Sequence, residues 1–316
     1  MPKAIIAYNP IAGRYPSLLL IERAAEVLSR FGWQLTLEQT QSSEHITQLA
    51  RQAANNRMDA FFMAGGDGSL NCAVAGLVGS DTALGVLPCG TANVWAQELG
   101  LPGLSWTRWM ALEESAHQLA SARSCLVDTG TCNDQPFLLW AGVGLDAFVV
   151  HHIEPRNRWE KLFATAHYAA SVVWYAGYWH GSNLWVEADG DQIQGHFLLA
   201  LVSNVHLYAG GLANLSPQAR LDDGVMDLWL FEGETQGDTV QLALDLLSGR
   251  HAQSQRVHQV QFRQLRLESE SPTYVQVDGE PCNVESPVSF RIQPKSLRVL
   301  VPDTTPQLLF NSRPCL

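Results

Sequence analysis

The sequence predicts an α/β N-terminal domain built on a parallel sheet, followed by a β-rich C-terminal domain of β-sandwich type. Three observations carry this reading. Strand and helix patterns alternate four times within the first hundred residues, each strand ends where the apolar periodicity breaks, and beyond about residue 124 strands follow one another instead.

Ala4 to Tyr8 is a short apolar run stopped by Asn9-Pro10. Ser17 to Phe31 then places Ile21, Ala24, Leu28 and Phe31 on one helical face, and Gly32 ends it. Trp33 to Thr40 alternates through Trp33, Leu35 and Leu37 as a second strand, after which Ser43 caps a helix running to Asn55. Asp59 to Ala64 is an apolar third strand, Leu70 to Val78 a helix, Ala83 to Leu87 a fourth strand, and Thr91 to Leu99 a helix closed by Gly100 and Pro102. Successive strand-helix units imply a parallel sheet with helices on both faces.

After a helical stretch from Trp106 to Ala122, strands are expected at Cys125 to Asp128, Phe137 to Trp140, Leu184 to Ala188 and Phe197 to Val202. Further strands are expected at Val225 to Phe231, Val257 to Leu267, Tyr274 to Val277 and Val288 to Ile292. Asp189-Gly190-Asp191 reads as a hairpin turn, and Trp159 to Trp179 and Thr239 to Leu247 as helical inserts. The expected division is residues 1–124, 125–301 and a C-terminal tail, 302–316.

With 316 residues, 46% of them hydrophobic and 16% charged, the chain buries a sizeable core, and disorder is excluded. A net charge of −11 with lysine only at 3, 161 and 295 speaks against a nucleic-acid partner, which needs a basic face to displace counterions. Six scattered cysteines without a Cys-x-x-Cys pair suggest neither a zinc site nor a disulfide framework. The opening apolar run is too short for a signal peptide, and Phe163 to Trp179 falls short of the roughly 20 apolar residues of a membrane span. The expected location is the cytoplasm.

The breaks in periodicity carry the chemistry. Asn9-Pro10-Ile11-Ala12-Gly13, Thr40, Gly65-Gly66-Asp67-Gly68-Ser69 and Pro88-Cys89-Gly90-Thr91-Ala92-Asn93 all stand at strand C-termini. In an open parallel sheet those ends share one edge, where ligands bind and helix N-termini face anions. Glycine-rich turns there suit phosphate, because backbone N–H groups can close on its oxygens; a tight turn is the competing reading of each glycine. P-loop, zincin and nucleophile-elbow motifs are absent. Gly142-Val143-Gly144-Leu145-Asp146-Ala147 matches a dinucleotide fingerprint, but no helical pattern with an acidic residue about twenty positions on follows it, so it reads as a decoy.

Taken together, Asn9-Pro10-x-x-Gly13, Gly65-Gly66-Asp67-Gly68-Ser69-Leu70-Asn71, Leu87-Pro88-x-Gly90-Thr91-x-Asn93, Leu221-Asp222-Asp223-Gly224 and Asp278-Gly279-Glu280-Pro281 resemble the diacylglycerol kinase and sphingosine kinase family. The bacterial YegS-like lipid kinases are nearest in size, and the match runs from about residue 3 to about 301. The resemblance implies an N-terminal domain like that of NAD kinase and phosphofructokinase, and ATP-dependent phosphorylation of a lipid hydroxyl. It places ATP against Asn9, Pro10, Ile11, Ala12, Gly13, Arg14, Thr40, Gly65 through Asn71 (Leu70 included), Thr91 and Asn93. Phosphoryl transfer needs charge neutralisation and an aligned hydroxyl; with no lysine nearby, Mg²⁺ and Arg14 would supply the charge.

By the same resemblance Glu280 is the proton acceptor, and Asp223 with the carbonyls of Arg220 and Val225 forms a separate Mg²⁺ site in the second domain; Asp67, a carboxylate inside the phosphate loop, is the competing candidate for the base. A solvated hairpin carboxylate is the competing reading of Glu280, and a type I turn that of Asp222-Asp223. The chain departs from the diacylglycerol kinases at Val94, where they typically carry Asp; this bears on which lipid is the substrate. Arg156, Arg158 and Lys161 before Tyr168, Trp174, Tyr175, Tyr178 and Trp179 suit transient peripheral contact with a bilayer, a core helix being the alternative. An NAD kinase-like phosphotransferase and a catalytically silent nucleotide or lipid sensor are the other functional readings. The oligomeric state is not legible.

Overall fold

The computed structural model describes residues 1–9, 18–105, 107–153 and 179–311. The chain forms two compact units, one comprising Met1–Asp128, Leu221–Asp223 and Pro294–Leu316, the other Thr129–Arg220 and Gly224–Gln293. The expected division was 1–124, 125–301 and 302–316; here the first unit runs to Asp128, and Leu221–Asp223 and Pro294–Leu316 return to it.

In the first unit β1 (Lys3–Tyr8), α1 (Leu18–Arg30), β2 (Gln34–Gln39), α2 (Ser43–Asn55), β3 (Ala60–Gly65), α3 (Asp67–Leu77), β4 (Ala83–Pro88), α4 (Val94–Glu98) and α5 (Ala111–Ala120) follow in order. β2, β1, β3 and β4 lie side by side and all pair in parallel. β3 and β4, AFFMAG and ALGVLP, are buried at every residue, as a strand covered on both faces requires. α1 buries Leu20, Ile21, Ala24, Ala25 and Leu28, close to the predicted stripe. Ser42, not Ser43, caps α2, its hydroxyl accepting from His45 N at 3.2 Å. α3 starts three residues earlier than expected, because Gly66 is its extended N-cap and Asp67 already lies in its first turn. α4 is shorter than predicted, since Asn93 is left-handed (φ 54°) and the helix begins only after it.

The rest of the chain adds β5 (Arg123–Cys132), β6 (Gln135–Phe137), β7 (Trp140–Gly144), α6 (Leu145–Ile153), β8 (Ser182–Ala188), β9 (Asp191–Ser203), β10 (Leu207–Tyr208), β11 (Ala213–Asn214) and β12 (Met226–Glu232). Then come α7 (Gln236–Leu247), β13 (Val257–Phe262), β14 (Gln264–Ser269), β15 (Val275–Val277), β16 (Glu280–Cys282) and β17 (Val288–Val301). The end of β17 joins the first unit's sheet, Val299 pairing in parallel with Leu84 of β4. In the second unit the strands run β16-β15-β7-β9-β8-β14-β17, with β12 on β9 and β13 on β12, and the pairings are antiparallel. Their inward residues, among them Val143, Phe197, Leu228, Phe262, Val277 and Phe290, form one core.

Several expectations are corrected here. The run Val257 to Leu267 is two strands, β13 and β14, divided at Arg263, whose N–H donates to Asp189 of the β8–β9 turn. Phe137 to Trp140 is likewise two strands that part at Leu138 and Leu139. Helix α6 was not foreseen. α7 starts at Gln236 behind a Thr235–Asp238 capping box. Cys125 is disulfide-bonded, whereas Cys72, Cys89, Cys132 and Cys282 form no disulfide. The helical insert expected from Trp159 lies outside the described residues, except for Trp179.

The separation at Leu138 and Leu139 has a function in the fold. The backbone N–H groups of Leu138, Leu139 and Trp140 all donate to the carboxylate of Asp278, at 2.9, 2.9 and 3.0 Å. Asp278 and Gly279 form the two-residue turn between β15 and β16, both left-handed (φ 49° and 82°) as a type I′ turn requires. Asp278 is 5% exposed, so removing its side chain strands three buried donors at about 1–3 kcal/mol each. Asp278→Ala is expected to lower unfolding stability by about 3 kcal/mol or more, read as a fall in the urea midpoint. An unchanged midpoint would show that the turn stands without it.

Candidate active site

The carboxyl edge of the first unit's sheet is built from loops that bind one another. Asn9 N donates to Ala64 O at the end of β3, and Asn9 Nδ2 to Ser69 Oγ at 3.3 Å, joining the segment after β1 to the first turn of α3. Thr40, after β2, donates both its N–H and its hydroxyl to Tyr8 O. Gly65 O accepts from Cys89 N, bringing the Gly-Gly-Asp-Gly loop against the Pro-Cys-Gly-Thr-Ala-Asn loop. A Cβ on Gly90 would stand 2.4 Å from Gly66 Cα, a distance no side chain tolerates, so glycine is required where these backbones meet.

Two side chains lock the contact. Asn93 closes a ring on Gly90, accepting its N–H at 2.8 Å and donating to its carbonyl at 2.9 Å. Asn tolerates the left-handed backbone this needs. Asp67 reaches from α3 to the start of α4, where its two oxygens accept from Val94 N (3.0 Å) and Trp95 N (3.3 Å). Burial pushes its carboxyl above the usual carboxylate range, against the pull of those amides. Cys89, in the same loop, has its thiol pushed up to about 12 by burial and so stays protonated near neutral pH. Val94, the residue at which the sequence departs from the resemblance, is itself buried and apolar.

In the second unit Glu280 is exposed at the first position of β16, next to the Asp278 turn. Gly279 N–H donates to Gln276 Oε1 at 2.8 Å, and Gln276 Nε2 donates to Asp146 Oδ2 at 2.7 Å. Of the Leu-Asp-Asp-Gly motif, Asp222 is structural: its Oδ1 accepts from Asn311 N at 2.6 Å, while Leu221 O accepts from Asp128 N and Leu221 N donates to Leu309 O. Arg220, Asp223 and Val225 are half-buried.

The structure thus brings Asn9, Gly65, Gly66, Asp67, Gly68, Ser69, Asn71, Thr91 and Asn93 to one edge of one sheet, with Thr40 on the neighbouring strand end. Leu70 faces the core. Pro10, Ile11, Ala12, Gly13 and Arg14 lie outside the described residues, and Glu280, Arg220 and Val225 belong to the other unit. Sequence reasoning missed Asp146 and Gln276 as partners of the Glu280 turn. The available signal was an acidic residue within the glycine motif at 142–147.

Among the described residues no helix is long and apolar enough to cross a membrane. The diacylglycerol kinase catalytic domain matches residues 3–132, and the YegS C-terminal NAD kinase beta sandwich-like domain matches residues 140–301. A diacylglycerol kinase of Bacillus subtilis (strain 168) is 27% identical over 285 residues, covering 89% of this chain and 90% of its own. A Chromohalobacter salexigens protein named "Probable lipid kinase YegS-like" is 28% identical over 298 residues, covering 92% and 91%. The crystal structure of a diacylglycerol kinase from Bacillus anthracis str. Sterne superposes with a TM-score of 0.72 at 18% identity, over 96% of this chain and 98% of that one, which establishes the shared fold. With both domain types matched in order, one on the parallel sheet and the other on the antiparallel sandwich, the chain belongs to the diacylglycerol kinase and YegS-like lipid kinase family.

Proposed function

We propose that this lipid kinase transfers the γ-phosphoryl group of ATP to the hydroxyl of a diacylglycerol- or long-chain-base-like lipid. The observation that carries the ATP reading is the glycine-to-glycine contact of Gly66 and Gly90 at the carboxyl ends of β3 and β4. It leaves a stretch of backbone without side chains beside the N-terminus of α3, where phosphate oxygens find N–H donors. Asn9, Thr40, Ser69, Asn71 and Thr91 supply polar atoms along the same edge, and the segment from Pro10 to Arg14 follows directly on Asn9.

The loop from Arg220 to Val225 offers only oxygen donors, the Asp223 carboxylate with the carbonyls of Arg220 and Val225, and that donor set fits a hard cation such as Mg²⁺. A Mg²⁺ accompanying ATP, separate from that loop, would supply the positive charge that phosphate oxygens need during transfer. Glu280 takes the proton from the lipid hydroxyl as that oxygen attacks; its exposure leaves the carboxylate accessible. Asp67 orients the start of α4 through Val94 N and Trp95 N and so fixes the loop that holds Thr91. The apolar Val94 removes a carboxylate from the acceptor side, which favours a lipid whose hydroxyl needs no second acidic contact.

The decisive assay is transfer of labelled γ-phosphate from ATP with Mg²⁺ to a mixed lipid extract in detergent micelles. A labelled lipid is expected, and its yield should fall by about 10²–10⁴-fold in Glu280→Ala, the usual worth of a positioned base, with the thermal midpoint retained. Labelled NAD in place of lipid would point to a soluble acceptor, and full activity in Glu280→Ala would remove its role.

The buried Asp67 makes a second prediction. A carboxyl whose folded pKa lies above its unfolded value binds its proton more tightly when folded. It therefore favours the folded state below about pH 4 and loses that contribution as pH rises through the folded value. Asp67→Asn does not titrate, and its side-chain nitrogen cannot accept from the second backbone amide, so the parent is expected to gain in thermal midpoint relative to the variant as pH falls from 8 toward 4, while phosphoryl transfer falls. A difference in midpoint that stays the same from pH 8 to pH 4 would reverse this reading.

A further inference from the structure

The glycine motif at residues 142–147, which serves no dinucleotide, is accounted for by a hydrogen-bonded relay that ends at the Glu280 turn. Gln276 of β15 lies opposite Gly142 of β7 in the antiparallel ladder, and Asp146 stands one helical turn beyond Gly142 on α6. A Cβ on Gly142 would sit 2.7 Å from both Asp146 Oδ2 and Gln276 Nε2. The missing side chain is therefore the space in which the 2.7 Å bond between those two atoms is made. Gly144 is required for a separate reason, since its backbone is left-handed (φ 99°) and a Cβ there would meet Leu198 O at 2.8 Å.

Gln276 is fully buried and Asp146 5% exposed, and burying two polar side chains is costly unless their bonds are made. The amide of Gln276 has one orientation that satisfies both neighbours. Its Nε2 must face the Asp146 oxygen and its Oε1 must face the Gly279 N–H, because an amide nitrogen cannot accept a hydrogen bond and an amide oxygen cannot donate one. Gly279 is thereby held from within the second unit while Asp278, on its other side, is held by three amides. The residue that follows Gly279 is Glu280.

We propose that Asp146 and Gln276 are positioning residues for the acceptor step: through Gly279 they fix the direction in which Glu280 presents its carboxylate to the lipid hydroxyl, and Gly142 makes room for the bond between them. This rests on Glu280 as the proton acceptor. Displacement of a catalytic group by about 1 Å costs on the order of 10²-fold in rate, so loss of the relay should show in turnover rather than in ATP binding.

The test measures kcat and the KM for ATP in the full-length chain for Gln276→Leu, Gly142→Ala, Glu280→Ala and the double variant Gln276→Leu/Glu280→Ala, with thermal midpoints alongside. Gln276→Leu is expected to lose on the order of 10²-fold in kcat with the ATP KM retained, and the double variant to be no slower than Glu280→Ala alone, because a misaligned group that is absent cannot be misaligned. Gly142→Ala, which crowds the bond without deleting a partner, should reproduce the kcat loss and carries the test if Gln276→Leu does not fold. Full kcat in both relay variants beside an inactive Glu280→Ala would overturn the positioning role and leave the acceptor reading intact. Losses that multiply in the double variant would assign Gln276 a role independent of Glu280 and overturn it as well. An active Glu280→Ala would overturn the acceptor reading and this inference together.

Discussion

Two stretches of backbone in the first unit pass so close at Gly66 and Gly90 that position 90 cannot carry a side chain, and the architecture of the sheet edge follows from this. Because the loops after β3 and β4 touch, Cys89 N can reach Gly65 O, Asp67 can reach the amides of Val94 and Trp95, and α4 can start where it does. Asn93 holds the second loop in the conformation that permits the contact, at the expense of a left-handed residue. Any larger residue at 90 would push the loops apart and draw the Val94 and Trp95 amides away from the buried Asp67 carboxylate, a costly arrangement.

The second unit solves a related problem by opposite means. There the loop to be fixed is a two-residue hairpin turn, and it is held by buried polar side chains instead of by the absence of side chains. Asp278 gathers the amides left unpaired where β6 and β7 part, and Gln276 takes the remaining amide of the turn. Fully satisfied polar networks of this kind specify one conformation, because every alternative leaves a buried donor or acceptor unpaired. The turn is accordingly rigid at its base while the Glu280 side chain beyond it remains in contact with solvent.

The parallel sheet was legible because burial on both faces writes itself into contiguous apolar runs such as Phe61-Phe62-Met63, and because the helices between them keep a regular stripe. The loops were legible as a set, since glycine and asparagine mark backbone that side chains would obstruct. Boundaries were less so: Ser42 and Ser43 are both competent caps, and only the geometry of the turn chooses between them. What the sequence did not disclose is the partnership of polar groups distant along the chain. Asp278 lies about 140 residues from the amides it binds, and Gln276 130 from Asp146, so no local pattern distinguishes either from a solvated side chain. The same reason hid α6, whose apolar residues follow the motif at 142–147 without a recognisable cap.

The return of Leu221–Asp223 and of β17 to the first unit governs how this protein is made. β17 runs from pairing with β14 to pairing with β4, so the parallel sheet acquires its last strand only once nearly three hundred residues have left the ribosome. Before that point β4 presents an unpaired apolar edge, the kind of surface on which nascent chains associate wrongly. The two units therefore cannot mature in succession, as separately encoded domains do, because the first unit's sheet waits for a strand that begins in the second.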